Sequence, residues 1–287
     1  MATILDGKAL AAEIDKNTML EVQKLSDRGI TPGLVVILVG HDEASQLYVR
    51  NKERRAKKMG FHSVIRNLPE TITETELIQI VQKYNTDPTI NAILVQLPLP
   101  AHINDFHVTM AISPQKDADG FHPLNLGKLI LNQANQTPVA CTPSGIMEFF
   151  KAYNIPLDGK RAVVIGRSAI VGKPMAALLV NANATVTVAH SHTTNLSELT
   201  RKADILVVAV GIAHFIKADD VKPGAVVIDV GMDRDVQHKL VGDVDFKEVE
   251  KKAAYITPVP RGVGPMTITM LMAQTVSLTK WSSEQDG

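Results

Sequence analysis

The sequence predicts an α/β protein of two domains, in which helices cover parallel β-sheets. Short runs of Val, Ile and Leu recur along the chain, and the segments between them carry apolar residues at intervals of three to four. Strands of a parallel sheet are buried on both faces and show nearly continuous apolar runs, whereas the covering helices show the helical period. The length of 287 residues corresponds to about two domains.

Six apolar runs are predicted to be buried strands: Leu34–Val39, Ala92–Leu97, Ala162–Ile165, Thr185–Ala189, Ile205–Val210 and Ala225–Val230. A helix is predicted after Thr73, because Thr73 and Glu76 have the spacing of a capping box. Its apolar face follows at helical spacing: Leu77, Ile80, Val81 and Tyr84. A later helix is predicted to have Thr142 as its N-cap and Pro143 as its first residue, and to run to Tyr153.

The polar, turn-rich segment Asn132–Pro138 predicts a boundary between the two domains. A final helix is predicted from Gly264 to about Lys280. We expect it to return to the first domain, because its apolar residues need a partner. The predicted domains are residues 1–140 with 265–287, and residues 141–264.

Charge and composition restrict the partners. The 30 Lys and Arg residues balance the 30 Asp and Glu residues, so no overall field favours nucleic acid or an anionic membrane. The single cysteine, Cys141, excludes an internal disulfide, and a small residue near a helix start is favoured over a nucleophile. No signal-peptide pattern is present, and no apolar run approaches the roughly 20 residues that cross a bilayer. We therefore expect a soluble, cytoplasmic protein.

The segment Ala162–Pro174 has the pattern of a strand, a glycine turn and a helix start. Gly166 lets the chain turn tightly beside a phosphate, and Gly172 permits close contact between helix and strand. The N–H groups at such a helix start favour a pyrophosphate. The spacing is not G-x-G-x-x-G, and any strand–helix crossover needs a glycine turn. This segment alone therefore leaves cofactor binding and simple packing as equal alternatives.

The following strand ends at His190, Ser191 and His192, where an NAD enzyme would carry an acidic residue for the ribose hydroxyls. Arg167 and Ser168 lie across the glycine turn and suit a 2′-phosphate, so the local charge favours NADP over NAD. His190 and His192 share a strand face like half of a metal site. No Cys, Asp or Glu has a matching spacing, so no metal is predicted.

In the first half, the offsets between Ser45, Tyr48 and Lys52 place the three side chains on one face of a helix. A lysine near a phenol and away from bulk water can have a lowered pKa, so that its amine moves protons. The alternative is a basic helix that faces solvent, which the segment alone favours. The basic residues concerned are Arg50, Lys52, Arg54, Arg55, Lys57 and Lys58.

Polar side chains also follow predicted strands in this half. Gln96 ends an apolar strand, and Asp117 and Asp119 precede a glycine turn. Ligands of parallel sheets bind outside the carboxyl ends of the strands, so Gln96, Asp119 and Lys52 are predicted to converge on one pocket. For Asp117, a role in the turn is favoured.

Five segments together resemble the bifunctional methylenetetrahydrofolate dehydrogenase/cyclohydrolase family. They occur in the family's order and extend over nearly the whole chain: Tyr48-Val-x-x-Lys52, Val95-Gln-Leu-Pro-Leu-Pro100, Lys116-Asp-x-Asp-Gly-Phe-His-Pro123, Gly166-Arg-Ser-x-x-Val-Gly-Lys-Pro174 and Ile256-Thr-Pro-Val-Pro-x-Gly-Val-Gly-Pro-Met-Thr267. Each motif alone is weak, whereas five in order are specific.

The resemblance implies an N-terminal α/β substrate domain, a Rossmann-like NADP-binding domain and a cleft between them, with homodimers formed through the cofactor domain. It implies that hydride passes from 5,10-methylenetetrahydrofolate to NADP+, and that water opens the 5,10-methenyl cation to 10-formyltetrahydrofolate. The implied substrates are therefore one-carbon derivatives of tetrahydrofolate, in one-carbon metabolism and purine biosynthesis.

The resemblance also implies roles for individual residues. Lys52 would be the central catalytic residue, with Gln96 holding it in a useful state and orientation. Tyr48 would position the substrate, and Asp119 would hydrogen-bond the pterin ring. Ser45 is carried over as a water or proton partner. The implied cofactor-binding residues are Gly166, Arg167, Ser168, Gly172, Ser191 and Met232.

Three positions depart from the family's usual pattern. Ala118 replaces a valine, Arg261 replaces a glycine, and His192 replaces the basic residue after Ser191, which weakens the preference for NADP if the histidine is neutral. Arg261 is expected to reach the cofactor, to reach the folate tail or to point to solvent. The alternative functions are a single-activity folate dehydrogenase, a non-catalytic NADP-binding sensor or scaffold, and a dehydrogenase for a small hydroxy acid.

Overall fold

The computed structural model describes residues 1–235 and 237–285. In chain order the strands and helices are β1 (Thr3–Ile4), α1 (Gly7–Ser26), β2 (Gly33–Val39), α2 (Glu43–Lys58), β3 (His62–Leu68), α3 (Glu74–Thr86), β4 (Ala92–Val95), α4 (Asp105–Ala111), α5 (Pro123–Ile130), α6 (Cys141–Ala152), β5 (Arg161–Ile165), α7 (Gly172–Asn181), β6 (Thr185–Ala189), α8 (Leu196–Thr200), β7 (Ile205–Val208), β8 (Val226–Asp229), β9 (Asp233–Arg234), β10 (Leu240–Val241), α9 (Phe246–Val249), β11 (Tyr255–Ile256) and α10 (Val263–Gln285).

These elements form two compact units, as the sequence predicts. The three-stranded unit contains residues 14–139 and the chain from Leu271 onward, and the six-stranded unit contains residues 1–13 and 140–270. Both sheets are parallel and are accompanied by helices, so the predicted α/β class is confirmed.

The three-stranded unit has β2 at the centre of its sheet, with β3 and β4 parallel to it on either side. All seven residues of β2 are buried, as its continuous apolar run predicts. The capping box of α3 is confirmed, because Thr73 and Glu76 exchange hydrogen bonds between side chain and backbone. Leu77 and Val81 of this helix are buried in the core beside β2 and β4.

The strand β3 is missing from the prediction. It lies at the edge of its sheet, and its residues His62, Arg66 and Asn67 are exposed. An edge strand of this kind lacks the apolar run that marks a buried parallel strand. Its full seven-residue pairing with β2 comes from the tertiary structure.

The six-stranded unit has the strand order β1-β11-β8-β7-β5-β6, and every neighbouring pair is parallel. Its core includes Val163, Ile165, Leu206, Val208 and Val227. Because all strands run in one direction, their carboxyl ends share one edge of the sheet. The segments that follow β5, β6, β7 and β8 therefore start from the same edge.

The first 13 residues differ from the predicted division, which assigns residues 1–140 to one domain. They belong to the six-stranded unit, because β1 pairs in parallel with β11 through Thr3 with Tyr255 and Ile4 with Ile256. The strand has only two residues, too few to give a sequence signal of its own.

The predicted start of α6 is also wrong. The helix begins at Cys141, and Ala140 occupies the N-cap position without a side-chain hydrogen bond. Thr142 lies inside the helix, where its hydroxyl forms a hydrogen bond of 2.9 Å with the hydroxyl of Thr267. A partner 125 positions away in sequence thus competes with the local capping that the Thr-Pro pair indicates.

The final helix, α10, begins at Val263 and ends at Gln285, so it is longer than predicted. Its residues from Leu271 belong to the three-stranded unit, the unit to which the sequence interpretation expects the helix to return. Gln274 links the helix to this unit, because its Nε2 donates to the carbonyl of Ala118 and its Oε1 accepts from the N–H of Val139. Among the described helices, none combines the length and apolar character needed to span a membrane.

Candidate active site

Lys52 and Gln96 are joined by a direct hydrogen bond in the three-stranded unit. The Nζ of Lys52, in α2, donates to the Oε1 of Gln96 at 2.9 Å. Gln96 directly follows β4, and its Nε2 donates to the carbonyl of Leu97 at 2.7 Å. This second bond fixes the orientation of the amide, so that its oxygen faces the lysine.

The helix α2 presents Lys52 on its buried face. Lys52 is only 7% exposed and shares this face with Ser45, Val49 and Ala56, whereas the basic residues Arg50, Arg54, Lys57 and Lys58 are exposed. The spacing of the buried residues is that of one helical stripe. The alternative interpretation, a basic helix face exposed to solvent, therefore applies to Arg50, Arg54, Lys57 and Lys58 but not to Lys52.

Tyr48 and Ser45 precede Lys52 by one and two helical turns. Tyr48 is half-buried, and its burial raises the pKa of the phenol above 10.0, so the group stays protonated at neutral pH. Ser45 is buried, and both its N–H and its hydroxyl bond to the Asp42 carboxylate at the N-cap of the helix. These bonds give Ser45 a structural role at the helix start.

Asp119 reaches the same end of the sheet through the segment that precedes it. Ile93 of β4 donates to the carbonyl of Lys116 and accepts from the N–H of Ala118, so residues 116–118 run alongside β4. Burial raises the pKa of Asp119 to about 6, and the negative charge of Asp117 adds to this effect. The positive charge of Lys52 opposes it, which shows that Lys52 and Asp119 interact.

Asp117 is buried and serves the turn, as the sequence interpretation favours. Its carboxylate accepts from the N–H groups of Gly120 and His122 and from the Nδ2 of Asn125, at 3.0, 2.8 and 2.9 Å. Gly120 and His122 lie in the segment that leads into α5, and Asn125 lies in the first turn of that helix. Asp117 thus holds the loop that carries Asp119.

The chemistry available here is proton transfer beside a polar ligand. A buried amine held by an amide oxygen can exchange protons with a neighbouring ligand or water. A carboxyl group with a pKa of about 6 can either donate or accept a hydrogen bond near neutral pH. Such groups suit a heterocycle that carries both N–H and C=O positions.

The predicted glycine turn lies at the carboxyl end of β5 in the six-stranded unit. Gly166 has a φ of +119°, and a Cβ there would overlap the carbonyl of Ala209. A Cβ at Gly172 would overlap the carbonyl of Gly166. The hydroxyl of Ser168 accepts from the N–H groups of Val171 and Gly172 at 3.2 and 3.4 Å, which shapes the entry into α7. Both glycines are therefore required by close approach of backbone to backbone.

The other predicted cofactor residues follow strands of the same sheet, at the same edge. Arg167 and Ser168 follow β5, Ser191 follows β6 and Met232 follows β8, and each is exposed. The edge thus presents hydroxyl groups, a guanidinium and open backbone beside a helix start, which fits a phosphate-bearing ligand. Within the described residues, no group of three or more His, Cys, Asp or Glu side chains could hold a metal ion.

Two family models match this chain. The model described as the catalytic domain of tetrahydrofolate dehydrogenase/cyclohydrolase matches residues 5–119. The model for the NAD(P)-binding domain of the same enzymes matches residues 140–283. The chain belongs to the tetrahydrofolate dehydrogenase/cyclohydrolase family.

Individual relatives are similar over nearly their whole length. A bifunctional protein FolD of Pediococcus pentosaceus is 66% identical, with 98% of this chain and 100% of the relative covered. The crystal structure of the bifunctional FolD methylenetetrahydrofolate dehydrogenase/cyclohydrolase of Campylobacter jejuni has 48% identity and a TM-score of 0.96, over 98% and 100% of the two chains. The FolD of Trypanosoma brucei, solved with NADP and an inhibitor, has 41% identity and a TM-score of 0.94, over 98% of each chain.

Two departures from the family pattern have clear positions in the structure. Arg261 has a φ of +82°, and its Nη2 lies 3.1 Å from the Oδ2 of Asp6, within the six-stranded unit. Its side chain is 63% exposed, so this ion pair contributes at most about 1 kcal/mol. Ala118 is fully buried, next to Asp119.

Sequence reasoning missed a buried network of carboxylates in the tetrahydrofolate dehydrogenase/cyclohydrolase chain. Asp229, at the end of β8, accepts from the N–H groups of Gly231, Asp243 and Val244 at 2.9 to 3.0 Å. Burial raises the pKa of Asp229 to about 7. Glycines beside buried aspartates, at 231 and 242, are the signal that could have found the network, because a Cβ at either would overlap a carboxylate or its backbone.

Proposed function

We propose that this chain oxidises 5,10-methylenetetrahydrofolate with NADP+ and hydrolyses the resulting 5,10-methenyltetrahydrofolate to 10-formyltetrahydrofolate. Both family models match, and relatives bearing this pair of activities are similar over almost their full length. The observation that carries the proposal is the buried hydrogen bond between Lys52 and Gln96, beside Asp119. A protein that only bound the nucleotide would have no use for this arrangement.

In the hydrolytic step, water adds to the methenyl carbon and the bond from that carbon to N5 breaks. The oxygen stays on the carbon as the formyl group, N5 gains a proton, and one proton is released. We assign to Lys52 the movement of these protons. Gln96 holds the amine in place, since its oxygen is already turned toward Nζ by the bond to Leu97.

Tyr48 and Asp119 are assigned to the binding of the pterin. The half-buried phenol keeps its proton at neutral pH, so it offers a hydrogen-bond donor and a flat apolar face. The Asp119 carboxyl accepts or donates a hydrogen bond at the polar edge of the ring. We assign to Ser45 a structural role at the start of α2. Its role as a proton partner stays a prediction.

In the oxidative step, the dinucleotide, when bound, would supply the acceptor for a hydride from the methylene carbon. The chain's part is to hold the dinucleotide. We assign the pyrophosphate to the backbone of the Gly166 turn and the start of α7. Arg167, Ser168 and Ser191 suit a 2′-phosphate by charge and hydrogen bonding, and Met232 is assigned to the nicotinamide end.

The test is an absorbance assay of the purified chain with methylenetetrahydrofolate and NADP+, with NAD+ in parallel. NADPH should form while the methenyl intermediate stays low, because the chain consumes it. Accumulation of the methenyl compound without decay would identify a single-activity dehydrogenase. Absence of any change would favour a nucleotide-binding sensor and would contradict the proposal, and faster turnover with NAD+ would overturn the choice of cofactor.

We also propose a homodimer formed through β6. This strand lies at the edge of its sheet, and Val188 on it is 38% exposed, while Val180 of the neighbouring α7 is 55% exposed. An apolar edge of this kind needs a cover, and a second copy supplies one by symmetry. In sedimentation, Val188→Lys should lower the dimer fraction, and Ile130→Lys, in α5, should not. A monomeric parent chain would sink the proposal.

We further propose a cytoplasmic location, a place in one-carbon metabolism and no nucleic-acid partner. A balanced charge and a single buried cysteine support them. A formyl group on N10 is consumed by formyl transfer, the reaction class that includes steps of purine biosynthesis. Cell fractionation that placed the chain in a membrane or an exported fraction would contradict the location.

A further inference from the structure

Asp233 and Asp243 interact through their carboxyl groups in the six-stranded unit, and the negative charge of Asp243 contributes to a raised pKa of Asp233. Asp243 is fully buried, and its two oxygens accept from the N–H groups of Val210 and Ile212 at 2.8 and 2.7 Å. Asp233 has a buried Oδ2 to which no described group donates. Two facing carboxyl groups attract each other only if one carries a proton. Since both oxygens of Asp243 already act as acceptors, the proton belongs on Asp233.

The backbone of Asp243 is held in place by hydrogen bonds to the Asp229 carboxylate. The Asp243 N–H donates to the Oδ1 of Asp229, and the following N–H, of Val244, donates to its Oδ2. Side chains at Gly231 or Gly242 would overlap these carboxylates or the backbone that joins them. Asp243 is therefore a rigid acceptor, and movement in the pair is confined to Asp233 and the loops it joins.

The pair connects segments that carry the proposed cofactor site. Val210 and Ile212 lie in the loop after β7, and the preceding residue, Ala209, packs against Gly166 so closely that a Cβ on the glycine would overlap its carbonyl. Asp233 itself directly follows Met232 and begins the hairpin of β9 and β10. A hydrogen bond from Asp233 to Asp243 would therefore link the loop after β7 to the one after β8.

We propose that Asp233 is a positioning residue for the cofactor: as a carboxylic acid it donates to Asp243 and holds the loops after β7 and β8 in the conformation that binds NADP(H), and loss of its proton weakens that binding. This inference rests on the proposed cofactor site. It adds a proton-linked control of affinity that acts through backbone position, without contact between Asp233 and the dinucleotide.

The charged groups around Asp233 determine the sign of the effect. Burial and the negative charge of Asp243 raise the pKa of Asp233, and the nearby His214 opposes this when its imidazole is charged. Asp229 accepts a hydrogen bond from the backbone N–H of Asp243. The guanidinium of Arg234 is directed to the carbonyl of His238 within the hairpin. Asp233 therefore loses its proton at a higher pH than an ordinary carboxyl group does. The affinity for NADP(H) falls as the pH rises through that transition.

The test compares NADPH binding by wild type and Asp233→Asn, followed by fluorescence over a range from mildly acidic to mildly alkaline pH. Asparagine keeps a donor toward Asp243 and carries no charge at any pH. The ratio of the two dissociation constants should be near one at low pH and should rise in favour of the variant as the pH increases, by up to about tenfold per pH unit. Comparison at equal pH cancels the titration of the NADPH phosphate.

Two further variants separate the alternatives. Asp235→Asn makes the same charge change in the same hairpin and should retain the wild-type profile. His214→Asn removes the neighbouring titratable ring and tolerates the φ of +54° at that position, and the difference due to Asp233 should persist in it. A ratio that stays constant with pH would overturn the inference, and absence of NADPH binding in wild type at every pH would overturn the proposed function instead.

A measurement on wild type alone covers the case in which Asp233→Asn does not fold. Calorimetric titration with NADPH at alkaline pH, in two buffers of different ionisation enthalpy, reports the protons exchanged on binding. A ligand that binds better to the protonated form must cause proton uptake. Uptake of a fraction of a proton is the expected result, and no uptake would contradict the inference.

Discussion

The Nζ of Lys52 donates to the Oε1 of Gln96 across 2.9 Å, and the same amide donates to the carbonyl of Leu97. The end of β4 thereby fixes both where the Gln96 side chain lies and which of its amide atoms, the oxygen, faces Lys52. Lys52 lies on the buried face of α2. Replacing it therefore leaves the exposed charges of the helix in place and removes the proposed proton carrier.

Replacing Lys52 by methionine should nearly abolish hydrolysis of the methenyl compound. Methionine keeps the length and apolar stem of the side chain but cannot move a proton, and general acid–base groups contribute about 10²–10⁴ in rate. The decay of methenyl absorbance measures the effect. Lys58→Met, on the exposed side of the same helix, should behave as wild type. Full cyclohydrolase activity in Lys52→Met would remove Lys52 from its assigned role.

Gln96→Glu should shift the pH profile of hydrolysis to higher pH. A carboxylate about 3 Å from Nζ favours the ammonium form, so more alkaline conditions are needed to obtain a neutral amine. Rates of methenyl decay over a series of pH values measure the shift. Gln96→Met, which removes the amide without adding charge, should lower the rate without this shift. Identical profiles for Gln96→Glu and wild type would show that Lys52 is not the group that titrates.

Asp119→Asn should change how stability depends on pH. The pKa of Asp119 is about 6 in the folded chain against 3.8 as the ordinary value, so the folded state holds the proton more tightly. Wild type therefore loses stability as the pH rises from about 4 to about 6, and the variant is spared this loss, on the order of 1–3 kcal/mol. Urea unfolding at several pH values measures it. Asp105→Asn, at an exposed site, should show no such gain between pH 5 and 6.

Arg167→Ala should weaken the use of NADP+ more than the use of NAD+. The exposed guanidinium is assigned to the 2′-phosphate, which only NADP+ carries, and charge-assisted hydrogen bonds of this kind contribute about 1.5–3 kcal/mol. We expect kcat/KM for NADP+ to fall by about tenfold to a hundredfold, with little change for NAD+. Arg201→Ala, an exposed arginine after α8, serves as the control. Equal losses with both dinucleotides would assign Arg167 to another part of the cofactor.

Much of the fold follows from local patterns in the sequence. The buried strand β2 and the capped helix α3 are predictable because an apolar run and the Thr73–Glu76 pair carry the information within a few residues. The approach of Lys52 to Gln96 was also predictable in outline, since strand ends and one helix face are recognisable separately. Their 2.9 Å hydrogen bond, and the turning of the amide by Leu97, depend on packing.

What the sequence could not reveal depends on partners far away in the chain. The hydroxyl of Thr142 bonds to Thr267 and not to its own helix start, so a local capping rule fails there. Gly231 and Gly242 indicate close packing beside Asp229 and Asp243, but only the folded chain brings the backbone of residue 243 to Asp229, 14 positions away in sequence. Arg261 pairs with Asp6 across almost the whole length of the chain.

The two-residue strand β1 has a consequence for dissecting the protein. Thr3 and Ile4 lie beside Tyr255 and Ile256, about 250 positions later in sequence, and cover the outer side of β11. A gene fragment that started at residue 140 would encode the whole match to the NAD(P)-binding domain but would leave β11 as a bare sheet edge. Such a fragment should recruit strands from other molecules and aggregate, unless residues 1–13 are grafted back or supplied as a peptide.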